Sequence, residues 1–183
     1  MKKYEFTGET KEIKLLFRTA VLHRIRATVS FGFVKIGDLG GWIEKEENLS
    51  HEGKAWVWGN AEVCGDAKVW GNAEVCGDAK VWGNAKVWGN AKVWGNAEVF
   101  SASHVLVIGA IGSRNDFTTF YRDKDNEITV KCGCFLGKID RFLEKVTQTH
   151  GDSKYALVYR AAVEVAKLQI DLSGEAPKDA DEE

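Results

Sequence analysis

A basic excess is missing from this sequence. Its 183 residues carry 25 Lys and Arg against 27 Asp and Glu, a net charge of −2. Chains that bind nucleic acid usually show a cationic surplus, so a nucleic-acid polymer is not an expected partner. No stretch approaches the roughly 18 unbroken apolar residues of a membrane span, so a membrane is not expected either. Lys2 and Lys3 are followed by Tyr4-Glu5 rather than an apolar run, which argues against a secretory leader. Without such a leader the four cysteines read as reduced thiols, and the expected location is the cytoplasm of a bacterial cell. Proline occurs once, in an acidic tail over 173–183 that is expected to be mobile. The hydrophobic share of 44% and charged share of 28% are globular values and exclude wholesale disorder.

What is present is a repeat. From Gly59 the chain reads GNAEVC, GDAKVW, GNAEVC, GDAKVW, GNAKVW, GNAKVW, GNAEVF, with a looser copy, GKAWVW, before it and a degenerate one, SASHVL, after it. Alternation places Ala and Val on one side of each short strand and Lys/Glu with Trp/Cys on the other. Gly-Asn or Gly-Asp supplies a corner, because both tolerate left-handed backbone angles. A strand and a corner every six residues make one edge of a triangular coil, and three edges close a turn of about 18 residues. Hairpins folded into a flat sheet would not keep valine inside on every pass. The expected fold is mainly β: a left-handed parallel β-helix with an N-terminal β cap and a C-terminal hairpin plus two helices. The expected units are 1–47 (cap), 48–112 (β-helix), 113–172 (hairpin and helices) and 173–183 (tail).

Stepping 18 residues predicts outer ladders. Glu62, Lys80 and Glu98 stack on one face and Glu74 with Lys92 on another, while Lys68 meets Lys86 on the third. Exposed pairs of this kind contribute only about 0.2–1 kcal/mol each. The last position of the repeat gives aromatic columns that include Trp58, Trp70, Trp82, Trp88, Trp94 and Phe100. These either stack on themselves or form the interface of a homotrimer, since contiguous apolar surface marks association. Columns on all three faces argue against one carbohydrate-binding groove, and no Thr-x-Thr ladder is present for binding ice.

The flanks read as follows. Lys3–Phe6 and Leu22–Phe33 are expected strands, and 37–44 is a turn-rich approach to a coil that begins near Asn48. Residues 108–116 form a Gly-rich loop leaving the coil. Phe117–Arg122 and Glu127–Cys132 pair as a hairpin. Lys138–Thr149 reads as an amphipathic helix with Ile139, Phe142, Leu143 and Val146 inward. Ser153 caps a last helix, Lys154–Ile170, with Leu157, Ala161, Val165 and Leu168 inward.

Catalytic chemistry finds little support. His51 and His104 are the candidate bases for an acyl transfer, yet the uninterrupted repeats leave no loop to build a cleft around either. Cys132 and Cys134 with His150 depart from the usual C-x₂₋₄-C spacing of zinc sites and lack a second pair. Cys64 and Cys76 stand in for Trp as small hydrophobes. No metal, cofactor or catalytic group is therefore expected. The region after the coil is the expected ligand-binding site: Ser113, Arg114, Asn115, Asp116, Thr118, Thr119, Tyr121 and Arg122. Backbone N–H groups with arginine hold phosphate, and tyrosine stacks on a base. The alternative is that Arg114 and Asp116 simply pin the C-terminal cap to the coil.

The segments Gly37–Glu44, the GNA-x-V repeats, Ile111–Asp116, Cys132-Gly133-Cys134-Phe135 and Thr149-His150-Gly151 together resemble a family of bacteriophage and prophage hexapeptide-repeat proteins. The resemblance covers nearly the whole chain except the tail. It implies a viral or mobile-element origin and the β-helical fold, and no reaction. The repeat is more distantly similar to that of hexapeptide acyltransferases, whose histidine base and groove between prisms lack a counterpart in the motifs here. The expectation is a non-enzymatic, trimeric binding protein that sequesters a small anionic, nucleotide-type ligand such as a host immune signal. A trimeric scaffold that binds another protein is the alternative, and an acyltransferase the third.

Overall fold

The computed structural model describes residues 2–15 and 18–173. The expected acidic tail lies, from Gly174 onward, outside the described residues.

Every alanine and valine of the repeat from Ala55 to Val99 is buried, at 1% exposure or less. Each repeat contributes a two-residue strand: β4 (Trp56–Val57), β5 (Glu62–Val63), β6 (Lys68–Val69), β7 (Glu74–Val75), β8 (Lys80–Val81), β9 (Lys86–Val87), β10 (Lys92–Val93) and β11 (Glu98–Val99). These sort into three parallel faces, β5-β8-β11, β4-β7-β10 and β6-β9. The pairs run Glu62 with Lys80, Lys80 with Glu98, Glu74 with Lys92, and Lys68 with Lys86, so each coil takes 18 residues. The corners turn at glycines of positive φ, where a side chain would be strained. The chain is thus a triangular parallel β-solenoid.

The solenoid begins earlier than the repeat suggests. Strand β3 (Leu39–Ile43) lies under β5 in parallel, with Trp42 opposite Glu62 and Ile43 opposite Val63. Leu49 bridges Val69. The first coil therefore steps 20 residues, and a 3₁₀ turn over Glu46–Asn48 takes up the additional length. Leu49 holds the place that valine takes in the later coils.

A long antiparallel hairpin, β1 (Tyr4–Leu15) and β2 (Arg18–Ala27), continues this face below β3. It satisfies the edge that an uncapped solenoid would leave open. Strand β2 ends at Ala27, short of the expected Phe33, because the chain turns back at Gly32 (φ +53) through a Phe31–Val34 bridge.

At the far end the expected loop over 108–116 is mostly strand. β12 (Val105–Ile111), β13 (Asp116–Arg122), β14 (Ile128–Cys132) and β15 (Phe135–Lys138) form an antiparallel sheet in sequence order. Helices α1 (Ile139–His150) and α2 (Lys154–Gln169) cover it. Helix α1 buries Ile139, Phe142 and Val146 as expected. Helix α2 shows the opposite face. Ala156, Tyr159, Ala162, Val163 and Ala166 are buried, while Leu157, Val165 and Leu168 are exposed at 58%, 49% and 89%. Small residues let the helix lie close on the sheet, and that proximity decides the orientation. Ser153 occupies the N-cap position without donating or accepting a side-chain cap hydrogen bond.

Candidate functional site

The aromatic columns divide by what covers them. Ile13, Leu15 and Leu22 of the hairpin pack over Trp42, Cys64, Trp82 and Phe100, leaving Trp82 buried. In the second column Trp58 stands edge-on to Trp56, and Trp94 lies beneath the Lys131 ammonium, 4.1 Å from its ring centre. In the third column Trp70 and Trp88 stack at 5.5 Å and 13°, with Trp88 48% exposed. Of the six aromatic residues expected at an interface, Trp82 is therefore claimed by the chain's own hairpin and Trp94 by its C-terminal sheet.

The two candidate histidine bases are both packed against aromatic neighbours. His51 Nδ1 accepts the Lys3 N–H at 3.1 Å, and its ring stacks on Tyr4. His104 is buried at the upper end of the solenoid, edge-on to Phe100.

The expected ligand-binding residues separate into two groups along β13. Thr118, Thr119, Tyr121 and Arg122 are buried. Thr118 Oγ1 donates to Cys132 Sγ, and Thr119 Oγ1 accepts the Lys92 N–H. Tyr121 plugs the solenoid and donates to the Trp94 carbonyl at 2.9 Å. The Arg122 guanidinium lies on the Phe100 ring and donates from Nε to Asn126. These four are not open to a ligand; alternation along the strand and the seat of the sheet on the last coil bury them.

Ser113, Arg114 and Asp116 instead open onto a cleft of about 410 Å³ between the C-terminal sheet and the two helices. Asn115 sits beside them in the turn, at φ +49. The cleft floor is aromatic and apolar: Phe142, Val146 and Tyr159 are buried and Phe135 half-buried. Phe142 meets Phe135 and Tyr159 at ring separations of 5.3 and 5.5 Å, and His150 stacks on Tyr159 at 5.8 Å. Arg114, Lys145, Thr149 and Cys134 stand exposed at the rim. Neither Arg114 nor Lys145 is in an ion pair with a described residue. The Arg114 guanidinium lies against Gly133 in the turn between β14 and β15.

Two glycines shape this cleft. A Cβ on Gly112 (φ +72) would stand 1.9 Å from the Tyr159 hydroxyl, and one on Gly133 (φ +54) would meet Arg114 Nη1 at 3.1 Å. Burial, and next the neighbouring Cys132, push the Tyr159 phenol up to about 12, so near neutral pH it is a protonated hydrogen-bond donor. Cys132 Sγ is 3.9 Å from that hydroxyl. Cys132, Cys134 and His150 all line the cleft, yet no group of three or more His, Cys, Asp or Glu among the described residues is placed to hold a metal.

Sequence reasoning reached Ser113, Arg114 and Asp116 and missed Phe135, Phe142, Lys145 and Tyr159. The three short segments 111–116, 132–135 and 149–151 lie far apart in the chain and meet at this one cleft. Compared with known protein families and with curated proteins, the chain matches none of either.

Proposed function

We propose that the protein is a non-enzymatic binding protein that captures a small anionic ligand of nucleotide type in the cleft between its C-terminal sheet and helices. One observation carries this reading: an aromatic floor shares its cleft with two exposed cations, Arg114 and Lys145, that form no ion pair with a described carboxylate, Asp116 being the one acid in the lining. Aromatic rings take a planar base, and a guanidinium donates charge-assisted hydrogen bonds to phosphate. The buried phenol of Tyr159 adds a donor that stays protonated. With the resemblance to phage proteins, the concrete form is sequestration of a host nucleotide signal inside a bacterial cell.

The test is calorimetric titration with AMP, GMP, CMP and UMP. Arg114→Met is expected to weaken the best of these by about tenfold or more, the loss of one charge-assisted contact. Equal affinity for Arg114→Met and the unaltered protein sinks the assignment of the cleft.

A second reading is a trimeric, protein-binding scaffold. What supports it is the open Trp70–Trp88 stack and the outward Leu157, Val165 and Leu168 on α2. Sedimentation of Trp88→Glu and Leu168→Glu discriminates. A drop from a trimer mass in either variant favours assembly through that surface; a monomer in the unaltered protein removes the trimer.

A further inference from the structure

A second cleft, of about 330 Å³, adjoins the first and shares Asp116 and Gly133 with it. It lies against the middle of the β4-β7-β10 face, where the C-terminal sheet leans on the coils. Lys54, Lys92 and Lys131 converge on it from three separate parts of the chain, together with Asn72 and Asn90.

We infer that this groove is an anion-accepting second subsite of the same binding site, so that the ligand carries a second anionic group beyond the one held at Arg114. The inference rests on the reading of the first cleft as a nucleotide site and names the ligand class more closely: a nucleoside polyphosphate or a linked dinucleotide, and not a simple monophosphate.

Three observations lead there. The cations outnumber the carboxylates in the groove, where only Glu74 and Asp116 are acidic. Asp116 Oδ1 accepts the Phe117 N–H at 2.7 Å, and Glu74 pairs loosely with Lys92 at 4.0 Å, which leaves Lys54 and Lys131 as the cations an anion would meet. Lys131 is itself 4% exposed, its ammonium held between the Trp94 ring and the Gly133 carbonyl. Burial and the nearby Lys92 ammonium lower its affinity for a proton. An arriving phosphate would relieve that repulsion, which is the condition under which a buried lysine favours an anion. The amide ladder of Asn72 and Asn90, joined at 3.1 Å, adds neutral donors beside the lysines. The Gly133 turn is the low wall between the two clefts, and its missing side chain leaves room for Arg114 to lie across it. A ligand crossing there would meet guanidinium on one side and ammonium on the other.

Titration of the full chain with AMP, ATP and a 3′,5′-linked diadenylate tests this. ATP or the diadenylate is expected to bind about tenfold tighter than AMP, the value of one further charge-assisted contact. The preferred member of that pair separates a phosphate tail from a second nucleotide as the source of the added charge. In Lys54→Met/Lys92→Met the advantage over AMP is expected to collapse, and both sites are partly exposed enough to keep the fold. An affinity ratio near one, or a ratio that survives in the double variant, overturns the second subsite; continued weakening of AMP by Arg114→Met then shows that the first cleft stands alone. A lysine-dependent ratio with no effect of Arg114→Met overturns the single-site reading. Binding of none of the three overturns both.

Discussion

Tyr4 and Tyr121 close opposite ends of one stack of alanine and valine. Each ring is buried in the solenoid core at 1% exposure or less. Each hydroxyl donates to a coil carbonyl, Tyr4 to Leu49 at 2.8 Å and Tyr121 to Trp94 at 2.9 Å. A solenoid end exposes apolar interior and unpaired backbone together, and a buried phenol answers both needs. Tyr4→Phe and Tyr121→Phe are each expected to cost about 1 kcal/mol in urea unfolding, and the alanine variants about 3–5 kcal/mol. Burial raises both phenols above the usual tyrosine range. The folded chain therefore keeps protons that the unfolded chain loses above about pH 10, and stability falls as pH rises past that point. The Phe variants should flatten that alkaline loss; an unchanged slope would count against the burial argument.

Gly112 and Gly89 offer a matched comparison. Both have positive φ, +72 and +65, but a Cβ on Gly89 meets nothing within 4 Å, whereas one on Gly112 strikes Tyr159. Gly89→Ala should cost only left-handed strain, about 1 kcal/mol. Gly112→Ala should cost distinctly more, and it should also impair the proposed nucleotide binding by displacing Tyr159 from the cleft. Thermal unfolding and the AMP titration read the two effects. Equal losses in the two variants would mean that Tyr159 is not seated by Gly112.

How much of this was legible follows from the same residues. The core was readable because Ala and Val recur at fixed places and glycine marks each corner. The first coil edge was not, because Gly40 and Gly41 stand where the repeat has larger residues. A Cβ on Gly40 would strike Ile25 and Trp56, and one on Gly41 the Ala61 carbonyl. Their smallness answers to neighbours distant in sequence. The inward face of α2 was misread for a related reason: its large apolar residues suggest a core, but close approach to β12 selects the alanines. Half of the expected ligand group is buried because alternation along β13, and its docking on the last coil, set which side chains reach solvent. The cleft itself depends on three segments converging, which a linear pattern does not encode.

Glu44 fastens the N-terminal hairpin to the solenoid. Its carboxylate takes both guanidinium nitrogens of Arg18, Nη2 at 2.8 Å, and also accepts the Gly65 N–H at 2.7 Å. The Arg18 hydrogen bonds chiefly hold its carboxyl below the usual range. That stability is present above the ordinary glutamate value, near pH 4.3, and is lost as pH falls through the lower folded one. Glu44→Gln is expected to speed amide exchange across Arg18–Ala27 and to brighten or shift Trp82 fluorescence as the hairpin loosens. Protection of β2 equal to that of the unaltered protein would show that apolar packing on Trp82 suffices without Glu44.

His104 predicts a second, separate acid transition. Its ring is 2% exposed, and its Nδ1 faces the Phe100 N–H at 3.4 Å as an acceptor, which requires the neutral form. Burial first, and then the Arg122 guanidinium, lower its proton affinity, against a smaller opposing pull from Asp171. The unfolded chain takes up a proton near pH 6.5 and the folded chain only below that. Between these points the unfolded state binds more protons, so stability is full above pH 6.5 and declines as pH drops below it. Each unit of separation between the two values is worth about 1.4 kcal/mol. This window lies above that of Glu44, so urea midpoints at pH 7.5 and 5.5 isolate it. His104→Gln, which keeps an acceptor without a titrating ring, should narrow the gap between those midpoints. If the gap is as wide in the variant, the acid sensitivity belongs to another group and the buried, neutral state of His104 is not what stabilises the upper end of the solenoid.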